Sequence, residues 1–128
     1  MASEQDRNKE LAIRFFAEGI TNQNFDVITE ILSPMYAYNG DPSSVADNKA
    51  WAIGLHKTFP GLSFQFEEIL AEGDMVAFRW RMTVPADGDW PAGSSTGTNI
   101  ITCASGQILT NWQNGSVSDS LAKRPTGD

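Results

Sequence analysis

A chain of 128 residues, 41% hydrophobic and 20% charged, holds one globular domain with a single core. Its net charge of −7 and pI near 4.5 set it against phosphate backbones and anionic membrane surfaces, so neither nucleic acid nor a membrane is an expected partner. The one cysteine, Cys103, excludes an internal disulfide and reads as a small buried hydrophobe. With no early apolar leader and no run of the ~18 apolar residues that a span needs, the expected compartment is the cytoplasm.

Ser3 followed by Glu4 and Asp6 is an N-cap with acidic residues in the first helical turn. Leu11, Phe15 and Glu18 share one stripe, which Ala12, Ile13 and Phe16 widen, and Gly19 is the expected stop. Phe25, Ile28, Ile31 and Leu32 give a second, shorter helix ended by Ser33-Pro34. Met35–Asn39 is a short aromatic strand closed by Gly40-Asp41-Pro42-Ser43. Ser44 to Thr58 forms a third helix, with Val45, Trp51, Leu55 and Phe59 near one face and Pro60-Gly61 as its breaker.

Two runs follow, Leu62–Ala71 and Met75–Val84, joined by Glu72-Gly73-Asp74. In the second, Val76, Phe78, Trp80, Met82 and Val84 alternate with Ala77, Arg79, Arg81 and Thr83. Period-two alternation around a Gly-Asp turn is an antiparallel hairpin with one apolar and one charged face, expected at the centre of the sheet. Pro85 to Gly97 is the least regular stretch, and Trp90 in its middle either folds over a site or anchors the loop. Thr98–Cys103 and Gln107–Gln113 are further strands around Ser105-Gly106. The single domain is expected over 1–115, followed by a polar, flexible tail over 116–128. Helices ahead of a mostly antiparallel sheet make an α+β fold with the helices on one face, and a bent sheet covered on one side leaves a cavity for a small apolar molecule.

The runs Asn8-Lys9-Glu10-Leu11 through Phe15-Phe16, Asn24–Ile28 before Leu32-Ser33-Pro34, Phe59-Pro60-Gly61-Leu62, Ala71–Ala77, Arg79-Trp80 and Ser105-Gly106-Gln107-Ile108 leading to Trp112 follow one another at spacings that resemble a SnoaL-like protein of the nuclear-transport-factor-2-like superfamily. The resemblance covers about Asn8 to Gln113. It implies a cone-shaped α+β barrel, three N-terminal helices packed on a strongly curved, mostly antiparallel sheet, and a homodimer through the outer sheet face. It also implies chemistry of the polyketide-cyclase kind, with an acid/base carboxylate just after the Trp of the last strand, a histidine on the preceding strand and polar groups on the first. In this chain those positions carry Gln113, Asn99 and Asn39, and Asn111 precedes Trp112.

Amides hydrogen-bond strongly without exchanging protons near neutral pH. Gln113 and Asn99 are therefore candidates for orienting a substrate or stabilising an enolate, with Tyr38 as a phenolic donor and His56 as the one side chain titrating near neutrality. Asn39, Asn111, Trp80, Phe16 and Trp90 are expected to complete the substrate-binding walls. One His and one Cys on separate elements make no metal site, and no cofactor is expected. The reading is a cofactor-independent enzyme cyclising or isomerising a polyketide- or terpenoid-like molecule. A non-catalytic binding module with the same pocket stands beside it, as do an epoxide hydrolase built on Asp74, Arg79 and Arg81 and a dimerising partner protein using the outer face and the tail.

Overall fold

The computed structural model describes residues 3–115, and the expected tail lies outside the described residues. Helix α1 (Glu4–Arg14) starts at Ser3, whose Oγ accepts from the Asp6 N–H at 3.1 Å. It does not stop at Gly19. The chain runs on as a π-helical segment, Phe15–Thr21, in which Asn22 N donates five residues back to Ala17 O at 2.9 Å. Gly19 serves packing instead, because a Cβ there would lie 3.2 Å from Ile28 Cγ1 of α2 (Asp26–Ile31).

Strand β1 (Leu32–Tyr38) begins earlier than the aromatic run suggested and passes through Pro34. Proline has no N–H for the ladder, and the pairing with β6 shifts register between Leu32 and Ala37. Asn39 and Gly40 have φ of 49° and 88°, the left-handed pair that a two-residue hairpin requires. They turn the chain into the two-residue strand β2 (Asp41–Pro42). Ser44 caps α3 (Val45–Thr58), its Oγ accepting from Asp47 N at 3.0 Å.

The remaining strands are β3 (Ser63–Glu72), β4 (Met75–Val84), β5 (Gly93–Ala104) and β6 (Gln107–Asn114). The sheet order is β2-β1-β6-β5-β4-β3, with β1 and β6 parallel and every other neighbour antiparallel. The hairpin β3–β4 therefore forms one side of the sheet, with β3 at its edge, and β6 and β5 hold the middle. The last five residues of the stretch expected to be irregular are strand, since Gly93 to Gly97 pair with Val84 to Trp80. The loop before it is pinned by two 2.9 Å backbone bonds between Asp87 and Trp90.

The inner face of β4 buries Val76, Phe78, Trp80, Met82 and Val84 against the helices. Phe16 meets Phe64, Phe66 and Phe78 edge-on, with centroids 5.1 to 5.8 Å apart. Each buried aromatic or aliphatic side chain contributes roughly 1.5–3 kcal/mol. A bulge in β3 between Phe66 and Glu68 places both Glu67 and Glu68 outside, where they pair with Arg81 and Arg79 at 2.7 Å. The two arginines thus belong to the outer face and are not set in a cavity with Asp74. No helix among the described residues is long and apolar enough to cross a membrane.

Candidate functional site

A cavity of about 220 Å³ opens where the π-helical segment, β1, the start of α3 and β6 converge. It holds roughly seven waters at ~30 Å³ each, so an occupant is small or reaches out through the mouth. Its walls are aromatic, made by Phe15, Phe16, Tyr36, Tyr38 and Trp51, and its polar groups are Ser43, Asp47, Asn48, Asn111 and Gln113.

Of the residues singled out in the sequence, Phe16, Tyr38, Asn111 and Gln113 line this cavity. Asn99 lies one layer behind, 1% exposed. Its Nδ2 donates to Asn111 Oδ1 at 2.8 Å and to Gln113 Oε1 at 3.3 Å, while its Oδ1 accepts from Trp80 Nε1 at 2.7 Å. Trp80 is accordingly not a wall of the pocket but a buried support for Asn99. Asn39 sits in the β1–β2 turn, where its Oδ1 accepts from the Gln113 N–H at 2.8 Å. Gln113 also donates from Nε2 to Gly115 O at 3.0 Å, so both ends of its amide are engaged.

His56 and Trp90 stand apart from the cavity. His56 is nine residues, roughly 13 Å, further down α3 than Asp47. Its Nε2 lies 2.6 Å from Ile20 O, which can only accept, so this nitrogen donates and ties α3 to the π-helical segment. Trp90 belongs to the paired turn after β4. His56 is a candidate on residue type, which carries no position, and Trp90 anchors its own loop.

The sequence reading passed over Ser43, Asp47, Asn48, Trp51 and Phe15, and it favoured Tyr38 over Tyr36. Trp51 lies three and four residues after Asn48 and Asp47 and so neighbours both on the helix surface, a spacing present in the sequence. Asn48 is held by its Nδ2 donating to Ser43 Oγ at 2.9 Å and Ser44 O at 2.8 Å. Tyr36 is 2% exposed. Burial pushes its phenol up to about 12, opposed by the polar side chain of Asn111. Partial burial also raises Tyr38 above the ordinary phenol value. No cluster of three or more His, Cys, Asp or Glu among the described residues could hold a metal ion.

Three helices packed on a mixed, curved sheet define a nuclear-transport-factor-2-like domain. The family model for SnoaL-like polyketide cyclases matches residues 10–122, and the chain belongs to that family. No curated protein matches it in sequence. Among solved structures, a protein assigned as a SnoaL-like polyketide cyclase from Jannaschia sp. CCS1 is 23% identical, with a TM-score of 0.73 over 91% of this chain and 90% of that one. A SnoaL-like polyketide cyclase from Agrobacterium tumefaciens is 17% identical, with a TM-score of 0.71 over 91% and 93%. A protein assigned as a polyketide cyclase from Bacillus cereus is 19% identical, with a TM-score of 0.77 over 90% and 79%. At these identities the likeness is one of fold.

Proposed function

We propose that the chain is a small, cofactor-independent enzyme of the cyclase or isomerase type, acting on an apolar oxygenated molecule of polyketide or terpenoid character. The observation that carries this is the lining of the cavity, in which aromatic walls and two phenols stand with one carboxylate, Asp47. Aromatic faces hold a flat carbon skeleton. A carboxylate can take the proton from the carbon beside a carbonyl, and the released electron pair then moves into the enolate. Return of a proton at another carbon gives isomerisation, and attack of the enolate carbon on an electrophile in the same molecule gives cyclisation. Membership of the family supports the same class. The site is assigned to Asp47 as base, to Tyr36, Tyr38 and Asn111 as polar contacts and to Phe15, Phe16 and Trp51 as walls. Asn99 holds the site from behind, and Gln113 lines it. The protein would work in the cytoplasm as a homodimer, without nucleic acid or membrane.

The test is incubation with 1-tetralone in D2O, followed by proton NMR. Exchange of the hydrogens beside the carbonyl should exceed the buffer rate and fall about 100-fold or more in Asp47→Asn, the usual scale of a lost general base. A second reading, a binding module with the same pocket, is favoured by the residue after Trp112, since Gln113 is an amide that transfers no proton and has both ends engaged. Tetralone bound with no exchange above buffer would establish that reading over the enzyme.

A further inference from the structure

We infer that the α3 end of the cavity recognises a protonated amine, so that the ligand is a small ring compound carrying a basic nitrogen. The inference rests on the reading of the cavity as a ligand site and deepens it by naming a charge on the ligand.

The orientation of Asn48 is fixed by its neighbours. Its Nδ2 donates to Ser43 Oγ at 2.9 Å and to Ser44 O at 2.8 Å. A backbone carbonyl can only accept, so the nitrogen and not the oxygen of the amide must face Ser44. Both amide hydrogens are then spent, and what Asn48 has left to offer is Oδ1, an acceptor. Asp47, the residue before it, lines the same cavity with a carboxylate, which again only accepts. The turn that carries the two is held by the bond from Asp47 N to Ser44 Oγ at 3.0 Å.

The charge is as one-sided as the hydrogen bonding. Asp47 is the only formally charged residue among the described residues that line the cavity. It makes no ion pair with a described residue, and Lys49, two positions on, is paired with Asp26 at 3.4 Å. A chain of net charge −7 supplies no opposing field. At the β6 end the oxygens of Asn111 and Gln113 already accept from Asn99 Nδ2, at 2.8 and 3.3 Å. A ketone oxygen placed at Asp47 and Asn48 would meet lone pairs and be repelled. An ammonium brings up to three N–H donors and a positive charge, so it answers both acceptors at once. Its carbon skeleton is left to the aromatic walls, among them Phe16, Tyr36 and Trp51. Asp47 as a counter-charge does not require Asp47 as a base, and binding and proton exchange report on the two roles separately.

The test compares 2-aminotetralin, protonated at neutral pH, with 2-methyltetralin, which has the same shape and no charge. Dissociation constants are read from the backbone amide NMR shifts of Ser43, Asp47 and Asn48. The amine should bind about threefold to tenfold more tightly. The preference should shrink as salt rises, because Asp47 is exposed. Asp47→Asn should bring the two compounds close to parity, and Asp47→Glu, which keeps the charge, should retain most of the difference. Glu10→Gln removes one charge from an exposed position on α1 outside the cavity lining, and the preference should survive it. That control separates a local contact from the general pull of an acidic chain. Equal binding, no binding of the amine, or a preference that persists in Asp47→Asn overturns the inference, and hydrogen exchange in 1-tetralone would stand despite it. Amine preference without tetralone exchange upholds the inference and removes the enzyme reading. A wild type that binds neither compound and exchanges no tetralone overturns both.

Discussion

The Trp80 indole N–H meets Asn99 Oδ1 at 2.7 Å because Gly97, the residue opposite Trp80 on β5, has no side chain. A Cβ at position 97 would run into the indole ring, 2.7 Å from its Cε2, and into Asn114 O at 2.8 Å. The ring lies across the glycine and reaches the amide two residues on. Gly97→Ala should therefore cost roughly 1–3 kcal/mol by overpacking, read from the urea midpoint. It should also change the near-ultraviolet circular dichroism of the displaced indole. A variant as stable as the wild type with an unchanged spectrum would show that the ring does not depend on that gap.

Stability should fall in alkali earlier than surface titration alone would bring it down. Burial pushes the Tyr36 phenol up to about 12 and, with the Asp74 carboxylate adding to the effect, the Cys103 thiol up to about 11. Both groups have folded values above their unfolded ones, so each contributes its full stability below the unfolded value and loses it as pH climbs to the folded one. For Cys103 the window runs from about pH 9 to 11 and for Tyr36 from about pH 10 to 12. Within its window each group removes roughly 1.4 kcal/mol per pH unit. Urea midpoints should thus be level up to about pH 9 and drop beyond it, and Tyr36→Phe and Cys103→Ala should each flatten the fall. Parallel curves for the wild type and both variants would refute the assignment.

Features that live in one residue's chemistry were legible in the sequence. The Ser3 and Ser44 caps, the alternation of β4 and the turns at Gly73 and Gly106 lie where local rules place them. Features that live in hydrogen-bond register were not. The π-helical widening before Thr21 leaves the apolar pattern of α1 almost unchanged, and Gly19 looks like a stop while serving as room for Ile28. The β3 bulge flips parity at Glu67, so alternation read through it puts Leu70 on the wrong face. Within the site, Asn111 and Gln113 are two residues apart on β6 and so share the face that lines the cavity. Asp47 and Asn48 were passed over because polar residues in a first helical turn look like ordinary capping.

Asn8 is a misfit inside α1. It is 6% exposed, and among the described residues its Nδ2 has no hydrogen-bond partner. An unmet buried amide costs roughly 1–3 kcal/mol, and leucine is also the better helix former. Asn8→Leu should accordingly raise stability by about 1 kcal/mol, seen as a higher urea midpoint at unchanged slope. Destabilisation instead would mean that the amide is satisfied by something the hydrogen-bond geometry does not include, such as a bound water.

The proposed homodimer would pair through the outer sheet face. Leu70, Ala77, Ile100 and Trp112 are paired in register across β3, β4, β5 and β6, forming one apolar row. Leu70 is 70% exposed, Ile100 44% and Trp112 54%. The Glu68–Arg79 pair lies beside this row. Isolated exposed hydrophobics need no explanation, but a registered row of them is what a partner surface requires. A twofold pairing of this face would bring each row against its copy, with ~800 Å² per subunit as the usual scale of a stable contact. Ile100→Lys places a charge at the middle of the row without touching the core. It should convert a dimer, seen by light scattering after gel filtration, into a monomer of unchanged thermal stability at low concentration. A wild type that is already monomeric at 100 times the concentration of the assay, or an Ile100→Lys variant that stays dimeric, would move the interface elsewhere or remove it.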